Sequence, residues 1–124
     1  MRRTIVGLML AFALLAACAG RTPSSAVENF YRAVEKGDTN AAIELISPEV
    51  VGVIGEEKIK AGLQEQGLKI KEKGGISSIE LKDETVVGEV AKITAVLKFG
   101  DGSEETEQLK LEKLDGQWKI KPEK

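Results

Sequence analysis

The 124-residue sequence contains no histidine and only one cysteine, and these two shortages exclude more chemistry than any motif in the chain suggests. Without histidine the chain lacks the commonest general base and the commonest metal ligand of proteins. A single cysteine allows no intrachain disulfide, so packing must stabilise the fold. The sequence also has no glycine-rich phosphate loop, nucleophile elbow or spaced metal-ligand motif. We therefore expect no catalytic residues, no metal site and no cofactor.

The chain also lacks an excess of positive charge. Its 18 Lys and Arg residues are balanced by 20 Asp and Glu residues, which gives a net charge of −2. Removal of residues 1–17, which contain Arg2, Arg3 and no acid, leaves 107 residues with sixteen basic and twenty acidic side chains. A nucleic-acid-binding surface normally carries clustered positive charge, so we exclude nucleic acid as a partner. The remaining length suffices for one compact domain.

The N terminus has the pattern of a secretory signal peptide. Arg2 and Arg3 are followed by an almost entirely apolar stretch, residues 4–17, and small residues precede the only cysteine. This ending resembles the bacterial lipobox, whose cysteine carries diacylglycerol and becomes the first residue of the mature protein. The matching residues are Leu15, Ala16 and Ala17 for signal-peptidase recognition and Cys18 for lipidation.

The lipobox resemblance implies export and attachment to a membrane through the lipid on Cys18. The apolar run of about 17 residues is shorter than the roughly 20 that a spanning helix needs, although an ordinary signal peptide or a short anchor remains an alternative. In enterobacterial lipoproteins an Asp after the cysteine is associated with retention in the inner membrane. Ala19 at this position therefore implies the inner leaflet of the outer membrane instead. We expect a cleaved signal peptide at 1–17, the lipidated cysteine and a tether at 18–24, and a domain at 25–122.

Two helices are predicted at the start of the domain. Ser25 and Glu28 have the spacing of a capping box, which indicates a helix that begins at Ser25 and ends at Gly37. Asp38 is positioned to cap a second, shorter helix. The Ser47-Pro48 pair ends this second helix, because a residue before proline is disfavoured in the helical conformation.

Residues 50–54 and 56–73 differ in their predicted structure. The first segment is rich in β-branched residues and predicts one brief strand. The second has an apolar stripe on one side and predicts a third helix, weakened by Gly62 and Gly67. Its stripe consists of Ile59, Leu63, Gln66 and Ile70.

From Ile76 onward the apolar pattern alternates, which predicts half-buried antiparallel strands. Residues 100–103 and the Asp115-Gly116 pair supply turns between the later strands. Helices followed by such strands predict an α+β fold in which the helices cover a curved antiparallel sheet of about four main strands. The alternating residues are Ile79 and Leu81; Ala91, Ile93, Ala95, Leu97 and Phe99; Leu109 and Leu111; Trp118 and Ile120.

This order of elements, together with four sequence stretches, resembles a known family. The stretches are residues 26–38 (AVENFYRAVEKGD), 42–49 (AIELISPE), 71–76 (KEKGGI) and 115–120 (DGQWKI). They are similar to the nuclear transport factor 2-like, or cystatin-like, superfamily, and within it to the exported lipoproteins grouped as domain of unknown function 4878. The resemblance implies a cone-shaped fold. It leaves the function open, because this fold carries enzymes and binding modules alike.

Three aromatic residues are candidates for lining a cavity in such a cone: Tyr31, Phe99 and Trp118. Enzymes of the superfamily place an Asp with a His, or an Asp with Tyr donors, in the mouth of the cone. Here Tyr31 is the only tyrosine, and its alternative role is to pack the first helix against the sheet. Trp118 similarly either stacks on a ligand or plugs the cone. The scarcity of aromatic residues favours a filled core.

Two charged clusters have a simple interpretation as solvated surface. The first consists of the lysines of residues 56–73, which alternatively rest on anionic lipid headgroups; interleaved glutamates would cancel much of that attraction. The second consists of Glu104, Glu105 and Glu107, which lack the shaped loop of a calcium site.

The sequence therefore favours a lipid-anchored cell-envelope protein with a non-catalytic binding or protein-interaction domain. An alternative is a binder of a small apolar ligand in the cone cavity, and an isomerase-like or hydrolase-like enzyme ranks third. The expected partners are the membrane and an unknown envelope protein or small ligand. Self-association into a homo-oligomer stays open.

Overall fold

The computed structural model describes residues 21–122, in which four helices are followed by four strands. The strands form an antiparallel meander with the spatial order β1-β2-β3-β4. This confirms the predicted α+β architecture. The elements are α1 (Pro23–Lys36), α2 (Thr39–Glu44), α3 (Pro48–Ile54), α4 (Glu56–Glu72), β1 (Ile76–Val87), β2 (Val90–Phe99), β3 (Glu104–Leu114) and β4 (Gln117–Ile120).

Helix α1 begins two residues earlier than predicted. Thr22 is its N-cap: the Thr22 hydroxyl accepts a hydrogen bond from the Ser25 backbone N–H, and the Ser25 hydroxyl accepts one from the Thr22 N–H. The assignment of the cap to Ser25 was therefore wrong. Pro23 favours this earlier start because its fixed φ suits the first turn and it has no N–H to leave unpaired. The predicted end at Gly37 is confirmed, with φ at 78°.

The segment 50–54, predicted as a strand, is instead part of helix α3. Pro48 occupies the first helical turn and Gly55 ends the helix with a φ of 101°, a conformation that glycine adopts without strain. These two end signals outweigh the β preference of the branched residues between them. Ser47-Pro48 thus starts a helix. Helix α2 begins at the predicted cap, where the Asp38 carboxylate accepts a hydrogen bond from the Ala41 N–H at 3.1 Å. It ends at Glu44, before the Ser47-Pro48 pair.

Helix α4 follows the prediction and buries Leu63 and Ile70. Gly67 is a weak helix former, but its position in α4 has a structural reason. A Cβ atom at this position would lie 2.7 Å from the carbonyl oxygen of Val34, so glycine permits close packing of α4 on α1. At Gly62, by contrast, an added Cβ would meet nothing within 4 Å.

The inner face of the sheet carries the alternating residues that the sequence predicted. Ala91, Ile93, Ala95, Leu97 and Phe99 are buried on β2 and belong to one core together with residues of α1 and α4. Strand β1 is longer than expected and contains two register irregularities in its pairing with β2. At the outer edge of β4, a parallel bridge between Ile46 and Ile120 joins the segment after α2 to the sheet.

The two ends of the sheet differ in how the chain is held. At the end that we call the closed end, the Gly100 N–H donates to Gly75 at 2.9 Å and the Asp101 N–H donates to Lys73 at 2.8 Å. At the opposite end, the hairpin end, β1 and β2 are connected and α1 begins. There the Ser24 hydroxyl donates to the Glu84 carboxylate at 2.9 Å.

Candidate functional site

An apolar cleft lies between the helices and the inner face of the sheet. It has a volume of about 260 Å³ and is open to solvent. Polar groups in the lining are few, chiefly the Tyr31 phenol, the Gln66 amide and the Glu107 carboxylate. The lining residues are Phe30, Tyr31, Ile46, Val50, Ile54, Ile59, Leu63, Gln66, Glu107, Leu109, Ile120 and Pro122.

Helix α3 forms one wall of this cleft, and the segment before it is held at the edge of the sheet. The Ser47 N–H donates to the Ile120 carbonyl at 2.8 Å, and the Ile120 N–H donates to Leu45 at 2.7 Å, which fixes this segment beside β4. Helix α3 starts immediately afterwards. Val50 and Ile54 are four residues apart, so they lie on the same side of α3 and both line the cleft.

Helix α4 supplies the next wall. Ile59, Leu63 and Gln66 recur at helical spacing and face the cleft, while Ile70, on the same stripe, continues into the core. The reversal between α3 and α4 occurs at Gly55. The cleft therefore exists because residues 48–55 form a helix and a turn where the sequence pattern had predicted a strand.

Tyr31 lies at the bottom of the cleft, only 2% exposed, with its ring in an edge-to-face contact with Phe30 at 5.4 Å between centroids. Burial raises the pKa of the Tyr31 phenol well above its usual value, and the negative charges of Glu107 and Glu105 raise it further. The phenol therefore stays protonated at physiological pH. It can donate or accept a hydrogen bond but does not serve as an anionic nucleophile.

Of the three aromatic residues predicted to line a cavity, the structure places only Tyr31 in the cleft. Phe99 lies at the closed end beside a much smaller cavity of about 70 Å³, with the Lys73 ammonium 4.7 Å from its ring centroid. Trp118 is buried on β4, and the Lys113 ammonium lies 6.0 Å from its ring centroid. Trp118 does not line the cleft, and its role as a plug stays a prediction.

Some members of the charged clusters form surface ion pairs in the structure. Lys73 binds Glu105 at 3.1 Å, while Lys60 and Lys69 lie 3.9 and 3.8 Å from acids one helical turn earlier. Within residues 21–122, no group of three or more potential metal-ligating side chains comes together. No helix of this same part of the chain has the length and apolar character needed to cross a membrane. The predicted lipobox residues, 15–18, lie outside the described residues.

Several cleft residues were identified from sequence only as members of apolar stripes. Ile59, Leu63 and Gln66 were correctly placed on one face of a helix, but nothing in the pattern showed that this face borders open space. Val50 and Ile54 were missed as cleft residues because their segment was predicted as a strand. The available signal was Pro48 followed seven residues later by Gly55, a spacing that suits a two-turn helix.

Solved structures of similar fold include the two described here. The crystal structure of a Campylobacter jejuni protein, provisionally described as an NTF2-like transpeptidase, has a TM-score of 0.74 and 22% sequence identity. The match covers 82% of this chain and 99% of the C. jejuni chain. The solution structure of a SEC-C motif-containing protein from Rhodopseudomonas palustris has a TM-score of 0.62 at 18% identity. The match covers 88% of this chain and 83% of the R. palustris chain. At these identities the similarity establishes the fold, which is NTF2-like as predicted.

The sequence comparisons are consistent with this fold and define the family. No curated protein matches the chain. The profile of one family matches residues 16–121, which is most of the sequence and includes every element of the described structure. The chain therefore belongs to the family described as domain of unknown function (DUF4878).

Proposed function

We propose that this protein is a lipid-anchored lipoprotein of the cell envelope whose domain is a non-catalytic interaction module that receives an apolar segment of a partner protein in the cleft. The apolar lining of the cleft carries this proposal. Ile54 supports it further, because this large apolar side chain on the cleft wall is 47% exposed. An exposed apolar rim beside an apolar groove is typical of surfaces that bind protein segments.

The size of the cleft favours a protein segment over an enclosed small molecule. Pockets that hold drug-sized ligands have volumes of about 300–1,000 Å³ and bury most of the ligand. This cleft is slightly smaller, at about 260 Å³, and is open to solvent. A few side chains of a partner fit such a groove, while the rest of the partner covers the opening. A small apolar ligand is the second candidate, since the lining suits it chemically.

The chemistry of the lining favours binding over catalysis. Its two ionisable groups are Tyr31 and Glu107, and the carboxylate makes ionisation of the phenol harder. The C. jejuni structure is described as a transpeptidase, but at 22% identity it carries the fold and not the activity to this chain. A transpeptidase transfers a peptide through an activated nucleophile, and a phenol that resists ionisation is unsuited to that role.

The sequence of the N terminus supports the anchor. The family match begins at residue 16, so Ala17 and Cys18 are part of the matched region. Helix α1 begins at Pro23, which leaves four residues between Cys18 and the folded domain. Such a short tether holds the domain close to the membrane. The residue after Cys18 is Ala19, and we place the protein in the inner leaflet of the outer membrane.

Photo-crosslinking in cell envelopes tests the cleft as the binding surface. A photoreactive residue placed at Gln66 in the full-length lipoprotein should form a saturable adduct with an envelope protein. Adding Ile54→Glu should abolish this adduct, because it puts a charge on the apolar wall. Adding Leu68→Glu should leave it intact, because Leu68 is 62% exposed on the same helix as Gln66 and is absent from the lining.

Equal adduct formation in both charge variants would show that the cleft does not bind the partner. Extraction of a small apolar molecule with the purified wild type, lost in Ile54→Glu, would favour the second candidate. Urea titrations of both charge variants check that the fold is retained, since substitutions at such exposed positions usually change stability by less than about 0.5 kcal/mol.

A further inference from the structure

The hairpin end of the sheet exposes a group of apolar side chains. Val87 and Val90 are opposite each other in the β1–β2 pairing, and Val87 is 80% exposed. Leu114 belongs to the same region, because Val90 pairs with Glu112 on β3 and the Lys113 N–H donates to the Glu89 carbonyl at 2.8 Å. The hairpin patch, as we name it, consists of Val86, Val87, Val90 and Leu114, all of them exposed. Val87, Val90 and Leu114 share one face of the sheet, and Val86, opposite the buried Ala91, lies on the other face of the same tip.

The hairpin patch lies at the end of the domain where the tether arrives. The hydroxyl of Ser24 binds the carboxylate of Glu84, which is only two residues before Val86. Six peptide units separate Cys18 from Ser24, so even a fully extended chain places the two Cα atoms no more than about 22 Å apart. A lipid on Cys18 therefore brings the hairpin end, and not the closed end, next to the membrane.

We propose that the hairpin patch inserts into the lipid surface beside the anchor and sets the orientation of the domain on the membrane. Apolar side chains at the tip of a hairpin can enter the boundary between headgroups and acyl chains. In this orientation the closed end points away from the bilayer. The proposal depends on the lipid anchor of the proposed function, and it adds a second contact with the same membrane.

The charges around the patch indicate which lipid it contacts. Glu84, Glu89 and Asp115 are exposed near the tip, and Lys92 and Lys113 are exposed beside them, so the tip has no excess of positive charge that would attract anionic headgroups. Lys73, the C-cap of α4, binds Glu105 at the closed end and does not add positive charge to the tip. The patch therefore suits a zwitterionic surface such as phosphatidylethanolamine.

A second copy of the chain is a less suitable occupant. Specific protein interfaces bury at least about 1,000 Å² in total, and four side chains at a hairpin tip supply only a part of that area. The lipid surface, in contrast, is already held beside the patch by the tether and needs no large contact area of its own.

A fluorescent label at the patch tests this proposal. Cys18 is the only cysteine, so in acylated full-length protein Val87→Cys introduces the single free thiol. An environment-sensitive dye on this thiol should shift to the blue in phosphatidylethanolamine-rich vesicles and lose intensity when the lipids carry a quencher. Leu68→Cys is the matched control, because Leu68 is also exposed but lies on α4. Its dye should emit as in water in both vesicle types.

Acylation of Cys18, measured by labelled palmitate, separates the two proposals. If the protein is acylated and bound to vesicles but the dye at residue 87 emits as in water, the patch does not insert and the anchor stands. If that dye shifts with rising protein density but the lipid quencher has no effect, a second copy covers the patch and the proposal fails. If Cys18 is not acylated, the anchor fails, and this inference fails with it.

Discussion

The closed end and the hairpin end of the same sheet are built in contrasting ways. At the closed end, backbone hydrogen bonds from Gly100 and Asp101 join the β2–β3 turn to the segment after α4. Glu35 of α1 also accepts from the Ile76 N–H at 2.7 Å. At the hairpin end, Val87 and Val90 are left exposed, and one hydroxyl–carboxylate bond connects α1 to β1.

This contrast separates stability from interaction. At the closed end the β2–β3 turn is held by backbone hydrogen bonds and Phe99 is buried beside it, so a change there is expected to lower the free energy of unfolding. Apolar side chains at the hairpin end contribute little to the core, so their exposure is more useful for contact with another surface. Substitutions in the two regions should therefore differ in size and in the property that they change.

The largest difference is expected between Phe99→Ala and Val87→Ala. Phe99 is buried at the closed end beneath the Lys73 ammonium, and removing such a ring costs about 3–5 kcal/mol of folding free energy. Val87→Ala at the exposed hairpin tip should stay within about 0.5 kcal/mol. Urea titration of both variants measures the two values. Similar losses would show that the hairpin end is as important for stability as the closed end.

A smaller effect, with opposite signs at two sites, is expected in α4. Gly67→Ala should destabilise the domain by about 1–3 kcal/mol, because the new methyl group overlaps the Val34 backbone oxygen of α1. Gly62→Ala should stabilise it by about 0.4–1 kcal/mol, because the methyl group meets no atom and restricts the unfolded chain. Thermal or urea unfolding of the pair checks both signs, and a stabilised Gly67→Ala would contradict the close packing.

The next effect concerns pH and tests the buried bottom of the cleft, which belongs to neither end. Tyr31 is the only tyrosine, so the ultraviolet absorbance of tyrosinate reports this residue alone. The pKa of its phenol is raised in the folded state, so folding favours the protonated form. The resulting stability is complete below the unfolded pKa of about 10 and decreases as the pH rises above it.

Native protein should therefore show no tyrosinate absorbance at pH 10, whereas urea-unfolded protein should be about half ionised there. Above pH 10 the wild type should lose about 1 kcal/mol of stability per pH unit relative to Tyr31→Phe. A native phenol that titrates like the unfolded one would show that the bottom of the cleft is wet.

The smallest effect is expected from the ion pair of the closed end. Lys73→Ala removes both the Glu105 contact and the cation above Phe99, and should cost about 0.5–1 kcal/mol. Lys69→Ala, which breaks a more exposed pair with Glu65, should change stability by less than about 0.5 kcal/mol. Added salt should reduce the first loss, since partly exposed charges are screened. Equal losses would remove the special role of Lys73.

The sequence predicted those elements whose signals are local. Gly37 and Asp38 define the junction between α1 and α2, and the alternating residues of β2 define its inner face; both predictions are confirmed. The error at 50–54 arose because branched residues favour strands, while Pro48 and Gly55 fix a helix between them. The cap of α1 was misplaced because Thr22 and Ser25 both begin sequences with capping-box spacing.

The candidate site was harder to predict, because it depends on distances between elements that are remote in sequence. Tyr31 was selected as a cavity residue and does line the cleft. Phe99 was selected for the same reason but lies at the closed end, since alternation places a residue on the inner face without locating it along the sheet. The role of Gly67 depends on a backbone atom of α1 and has no local signal.

Acylation of Cys18 tests the central claim most directly. Cells that express the full-length protein and are fed labelled palmitate should contain a labelled, membrane-bound protein that has lost residues 1–17. Cys18→Ser should abolish both the label and the membrane attachment, because Cys18 carries the only thiol to which the lipid can be attached. A wild-type protein that is exported, unlabelled and released in soluble form would contradict the account.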